Sequence, residues 1–285
     1  MISVIICSIN PARAEAVSRN VALTIGVRHE IIVIDNRESK YGIGEAYNIG
    51  AARSRYDVLC FMHEDILFHT ACWGEIVAAT LADASIGLIG VAGNTYKTRT
   101  ESGWWITAAG VNTRRRNIIQ HYAPAQTLHE VENPHNEVLS EVVVLDGVWL
   151  CMPKRVWQRH AFDAETLKGF HFYDLDISLQ VKRTHRVCVV HTILIEHYSA
   201  GSVNTDWLNL AVRFADKWKN SLPMSTTPVD RRFSALLEYE ASFAYLQLLR
   251  KNCKDKRRAV RFLAYNLFHR LLYYREKLIS TFGPS

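Results

Sequence analysis

Short β-branched runs alternate with helical patterns over the first two hundred residues. SVIICSI (residues 3–9) reads as a buried strand, and IIVID (31–35), DVLCFM (57–62) and IGLIGVAG (86–93) read as further strands. Between them, AEAVSRNVALTI (14–25) predicts a helix after the Asn10-Pro11 turn, GIGEAYNIGAARS (42–54) a glycine-opened helix, and WGEIVAATLAD (73–83) a third. Strands separated by crossover helices predict an α/β sandwich around a mostly parallel central sheet. From Asn94 to Ser140 the periodicity dissolves into polar residues, glycines, Trp104, Trp105 and the triplet Arg114-Arg115-Arg116, which predicts loops and an irregular hairpin. Apolar runs return at EVVVLD (141–146) and VWLCM (148–152). A short helix (153–159), a helix over 176–184, and the strands RVCVV and ILIEHY follow.

After Asn204 the chain turns helical. Trp207, Ala211, Phe214 and Trp218 fall on one helix face, and Thr227-Pro228 with Asp230 in the first turn is a helix start. The last helix carries Val260, Leu263, Leu267, Leu271, Tyr274 and Leu278 on one face and arginines elsewhere. Two regions are expected: residues 1–204 as an α/β domain and residues 205–285 as a helical appendage.

Composition narrows this picture. With 285 residues, 48% hydrophobic and 22% charged, the chain can bury a proper core, which excludes wholesale disorder and low-complexity architectures. The cysteines at 7, 60, 72, 151, 188 and 253 show no C-x-x-C spacing, so a reducing compartment and no structural zinc are expected. The apolar opening lacks a basic leader and a cleavage site, and no uncharged run approaches the ~18 residues of a bilayer-crossing helix. A cytoplasmic protein is expected. The net charge of +6 is unevenly placed: residues 250–277 hold ten Lys/Arg against Asp255 and Glu276, so the remainder is slightly acidic.

Candidate chemistry collects where polar residues end apolar strands, because ligands of open α/β sheets bind beyond the carboxyl ends of the strands. Three such ends stand out: Asp35-Asn36, His63-Glu64-Asp65 and Glu196-His197-Tyr198. A carboxylate beside an imidazole is a natural oxygen/nitrogen site for a divalent cation. Taken alone, each acidic strand end also fits a turn or a helix cap.

The order SVIICSIN, IIVIDN, G-x-x-x-x-Y-N-x-G (Gly42 to Gly50) and DVLCFMHED is similar to the nucleotide-binding half of inverting, GT-A fold glycosyltransferases of family 2. In that family the third strand ends in D-x-D, whose last aspartate holds the metal of the donor diphosphate. Asp65 occupies that position, and His63 replaces the first aspartate. The second half supports the resemblance. GFHFYDLDISL matches the segment commonly written E-D-x-D-L, with Asp174 at the catalytic base, Asp176 at the following aspartate and Tyr173 where the family usually has Glu. Asp176 reads as a helix-capping acid, and capping is the alternative for Asp174 too. IEHYSAGS places His197 at the family's last motif, which can supply a further metal ligand before the small stretch Ser199-Ala200-Gly201-Ser202.

The resemblance covers residues 1–202. It implies transfer of a sugar from a nucleotide-diphosphate donor to an acceptor hydroxyl with inversion, in cell-surface polysaccharide or glycoconjugate synthesis, with Mn²⁺ or Mg²⁺ as cofactor. Asp174 is the expected base, Asp65 and His197 the metal ligands, and Asn10, Asp35, Asn48, His63 and Glu64 the donor contacts. Asp146 is a candidate on the acceptor side, and the acceptor is a glycan or is lipid-linked. Two rivals stay open: a nucleotidyltransferase, although SINPARAEA lacks the usual glycine- and arginine-rich loop, and a noncatalytic sugar- or protein-binding module that kept the fold. No nucleic-acid motif accompanies the basic tail. That tail lies on an anionic membrane surface at the inner face of the membrane, or it packs on the catalytic domain or a second subunit of a homo-oligomer with its arginines solvated.

Overall fold

The computed structural model describes residues 1–106, 112–122, 126–199, 201–252 and 256–282; Ala200, Cys253, Lys254 and Asp255 lie outside these. The chain opens as β1 (Ile2–Ser8), α1 (Pro11–Thr24), β2 (His29–Asp35), α2 (Ile43–Arg53), β3 (Val58–Met62), β4 (Ile66–Phe68), α3 (Trp73–Thr80) and β5 (Ile86–Gly90). It continues through β6 (Ala92–Asn94), β7 (Tyr96–Lys97), β8 (Arg114–Tyr122), β9 (Gln126–Glu132), β10 (Leu139–Val142), β11 (Val144–Leu145) and β12 (Trp149–Pro153). Then come α4 (Lys154–Arg159), α5 (Tyr173–Lys182), β13 (Arg186–Val190) and β14 (Ile195–His197). The remainder is α6 (Thr205–Trp218), β15 (Met224–Ser225), α7 (Arg231–Asn252) and α8 (Lys256–Phe282).

Seven strands form the central sheet in the order β10-β13-β5-β12-β3-β1-β2. The β1 strand is parallel to both β2 and β3, and β13 is parallel to β5. Only β12, between β3 and β5, and the edge strand β10 run the other way. Successive β1 residues enter opposite cores. Val4 and Ile6 join Val17, Val21 and Trp73 of α1 and α3, whereas Ile5 joins Tyr47 of α2 and Ile177 of α5. Burial on both faces is why these strands read as unbroken apolar runs. The result is the mostly parallel α/β/α sandwich expected from the sequence.

The segment after residue 90 departs from expectation. The predicted strand 86–93 splits at Val91, where the chain leaves the central sheet for a second one ordered β11-β6-β8-β14-β4. The anticipated irregular hairpin is instead a regular antiparallel pair, β8 on β9, from Arg116↔Glu132 to Tyr122↔Gln126. Its arginines conceal it from a hydrophobicity reading: Arg114 and Arg116 are sheltered in the strand because Glu130 and Glu132 on β9 neutralise them at 2.5–2.6 Å.

Helix α5 starts at Tyr173, three residues earlier than predicted. Phe172 precedes it in the left-handed region (φ 65°), held by ring contacts with Trp207 and Phe214. Asp176 is not a cap. It is fully buried and accepts hydrogen bonds from Trp218 Nε1 (2.8 Å) and Lys217 Nζ, bolting α5 to α6. Trp207, Phe214 and Trp218 pack with Leu175 and Leu179 of α5, so tertiary contacts run across position 204.

Helices α7 and α8 pack on each other. Phe262 meets the Tyr245 ring at 4.6 Å, Tyr265 Oη donates to Glu238, and Asn266 Nδ2 donates to Tyr239 O and Ser242 Oγ. The predicted apolar face of α8 points elsewhere: its six residues are between 47% (Tyr274) and 65% (Val260) exposed. That face is left open to solvent.

Candidate functional site

The two sheets bring remote segments together by register. Beyond β3, His63 continues the pairing with the β12 side by donating its N–H to Val148 O (3.1 Å), and Asp65 follows in the turn before β4. Strand β14 lies antiparallel to β4 with His197 opposite Ile66, and Tyr198 N donates to Asp65 O (3.0 Å). This pairing sets His197 beside Asp65. His197 Nε2 is 3.6 Å and His63 Nδ1 3.9 Å from Asp65 Oδ1, and one ligand atom from each residue lies within 4.8 Å of the others. Gln120 Oε1 meets His197 Nδ1 at 3.1 Å and fixes the ring.

Tyr173 orients the other imidazole. Its hydroxyl has one proton and donates it to Gly147 O (3.1 Å), so the 2.9 Å contact with His63 Nε2 requires that nitrogen to donate. The lone pair of His63 is therefore on Nδ1, the atom facing Asp65. Burial and the neighbouring His197 push His63 down to about 4, which keeps the ring neutral. Burial draws the Asp65 carboxyl up, but His197, the nearer imidazole, outweighs it and holds the group well below the usual range. A neutral imidazole, a second histidine and an ionised carboxylate converging at this distance fit a divalent cation. The two departures from the family pattern, His63 and Tyr173, are thus partners of each other.

Asp174 lies one residue further on. Its Oδ2 accepts from Gly147 N (3.0 Å), while Asp146 Oδ1 accepts from Val148 N (2.7 Å). Burial, then the negative charge of Asp146, raise the Asp174 carboxyl to about 7 despite its place in the first turn of α5. Gly147 is required here, since a Cβ would stand 2.1 Å from the Tyr173 hydroxyl. His63, His197, Asp146 and Asp174 all line one cavity of about 480 Å³, whose lining also includes the aromatic side chains of Trp104, Trp105, Phe170 and Trp207.

Other expected contacts lie apart from this cavity. Glu64 accepts from Ser8 Oγ (2.5 Å) and Asn10 N (3.0 Å), tying the end of β1 to the β3 exit. Asn10 caps α1, accepting from Ala12 N and Arg13 N. Asp35 is exposed at the end of β2, where hydrogen bonds from Arg37 hold it down at about 2. Asn48, expected at the donor, instead clamps the chain after α4: it donates to Phe162 O and accepts from Phe162 N and Trp157 Nε1. Sequence reasoning missed Trp207 and Gln120 as parts of the site. Spacing offers no signal for either, since one belongs to a helical stripe and the other to the unrecognised β8.

The chain matches the family described as "Glycosyltransferase like family" over residues 3–221, and it belongs to that family. Among solved structures it is similar to GalNAc-T7, crystallised with UDP, GalNAc and Mn²⁺ (13% identity, TM-score 0.53, covering 94% of this chain and 57% of that one). It is also similar to S. aureus TarS (10% identity, TM-score 0.50, covering 88% of this chain and 44% of that one). At these identities the likeness is one of fold, the GT-A glycosyltransferase architecture, and the chain spans only about half the length of these neighbours. No curated protein matches it in sequence.

Proposed function

We propose that this protein transfers a sugar from a nucleotide-diphosphate donor to an acceptor hydroxyl, with inversion at the anomeric carbon, in the synthesis of a cell-surface polysaccharide or glycoconjugate. The observation that carries the reading is the single cavity onto which His63, His197 and Asp174 all open, with Asp65 in contact with both histidines. The UDP and Mn²⁺ bound by GalNAc-T7 support a nucleotide sugar as donor and a divalent cation as cofactor. The catalytic body extends through α6, because Trp207 lines the cavity and the family match continues to residue 221.

Asp65, His63 and His197 would hold the cation, which supplies positive charge to the departing diphosphate; two imidazoles favour Mn²⁺ over Mg²⁺. Tyr173 and Gln120 keep the histidine rings oriented. Asp174 takes the acceptor's hydroxyl proton as that oxygen bonds to the anomeric carbon, and the bond to the diphosphate oxygen breaks. A carboxylate lifted to about 7 is a stronger base than an ordinary one and holds the proton it receives. Asp146 adjoins this base and faces the acceptor. The aromatic wall stacks against sugar rings and excludes water. Asp35, at the open end of β2, is left for the nucleoside.

The test is transfer by wild type and Asp174→Asn with Mn²⁺, alongside donor binding. Asp174→Asn should lose roughly 10²–10⁴-fold in turnover with donor affinity nearly intact. Unimpaired turnover, or a product that retains the donor's anomeric configuration, removes Asp174 as the base. A wild type that neither transfers nor hydrolyses any donor leaves the binding-module reading.

A further inference from the structure

Helix α8 is apolar on two opposite faces. The inner one, with Phe262, Tyr265, Asn266 and His269, is sheltered and packs toward α7. On the outer one, Val260, Leu263, Leu267, Leu271, Tyr274 and Leu278 recur every three or four residues and are all about half exposed or more. They form a stripe roughly 27 Å long on the side away from α7. A continuous exposed stripe of this size marks an interaction surface, whereas scattered apolar residues do not.

Charge decides what covers it. Projected at 3.6 residues per turn, Arg270 and Lys277 border one edge of the stripe and Arg275 the other, and all three are exposed. Over the whole helix seven Lys/Arg face a single acid, Glu276, which is half-buried on the inner side. A second copy paired through this face would set cationic borders against cationic borders with no outer carboxylate between them. An anionic lipid surface complements both parts: the stripe enters the acyl boundary while the long basic side chains reach the headgroup phosphates. The chain outside the basic segment is slightly acidic, so attraction is confined to this end. Among the described residues no helix is long and apolar enough to cross a membrane, so contact through α8 would run along a surface.

We propose that the outer face of α8 docks the protein on an anionic lipid surface. The contact reaches the cavity through Glu101, which binds Arg258 and Arg261 of α8 at 2.7 Å and lies two residues before the Gly103-Trp104-Trp105 stretch of its lining. Resting on the function proposed above, this placement holds the acceptor side of the cavity near the bilayer and selects a lipid-linked acceptor.

The full chain is sedimented with phosphatidylcholine vesicles with and without phosphatidylglycerol. Binding is expected only with the anionic lipid and should weaken as salt rises. Leu267→Glu/Leu271→Glu should lose binding by roughly tenfold or more with thermal melting unchanged, because both positions are exposed. Arg270→Gln/Arg275→Gln should lose roughly tenfold and flatten the salt dependence. Undiminished binding by both double variants, or no binding by wild type, overturns the proposal. So does a lipid-free dimer, seen by sedimentation velocity, that the leucine variant dissociates. Vesicle binding needs no turnover, and transfer to a soluble acceptor should survive both double variants, so this proposal and the catalytic one fail separately.

Discussion

Helices α6 and α8 carry apolar stripes of the same helical spacing and meet opposite fates. On α6, Trp207, Ala211, Phe214 and Trp218 are no more than 4% exposed, closed over by α5 and bolted through Asp176. On α8, every residue of the corresponding stripe is at least 47% exposed. Periodicity announces that a face wants a partner; it does not say whether the partner belongs to the same chain. Burial therefore joins α6 to the core around α5 and makes α8 an outward-facing surface.

The largest expected effect tests that contrast directly. Phe214→Ala should cost about 3–5 kcal/mol in denaturant unfolding, because it opens a cavity between α5 and α6. Leu271→Ala in lipid-free buffer should stay within about 0.5 kcal/mol. Comparable costs for the two would erase the distinction between the helices. Next in size, Gly147→Ala forces a methyl to 2.1 Å from the Tyr173 hydroxyl and should destabilise by about 1–3 kcal/mol. The same displacement breaks the His63 contact, so Mn²⁺ affinity, read by titration calorimetry, should fall as well. A variant with normal metal binding would show that Tyr173 does not orient His63.

A third test is pH-dependent and concerns the buried Asp174 carboxyl. Burial lifts Asp174 to about 7, above the unfolded value of about 3.9, so stability from its protonated form is complete below about pH 4 and is lost as pH rises through about 7. Asp174→Asn is therefore expected to raise Tm by roughly 5–10 °C at pH 8 and to leave it nearly unchanged at pH 4. In wild type the acid limb of kcat/KM should fall near pH 7, since the base must be deprotonated to act. A limb near pH 4 would mean that Asp174 is solvated like an ordinary surface carboxylate.

Part of the site is legible in the sequence. Asp65 and His197 stand at strand ends and Asp174 enters through the family resemblance; the structure sets Asp65 beside His197, which shares a cavity with Asp174. His63 and Tyr173 stand where the resemblance expects aspartate and glutamate, and nothing in their spacing links the two. Only their 2.9 Å contact shows that one change accommodates the other. Asn48 sat in a promising motif yet is consumed by Phe162 and Trp157. No spacing rule foretells which half of an amide has already been claimed by a loop more than a hundred residues away.

Local sequence determined what depends on local or one-dimensional information. The doubly buried strands of the central sheet, the Asn10 cap and the helical character of the last eighty residues all follow from which side chains sit next to one another along the chain. Tertiary structure alone decided the rest. The β8–β9 pair is held by arginines whose neutralising glutamates lie on another strand, the gathering of Asp65 and His197 depends on the register of β14 against β4, and the outward face of α8 depends on which side α7 covers first. Each is a pairing between segments distant in sequence, and its free energy comes from a partner that neither segment encodes by itself.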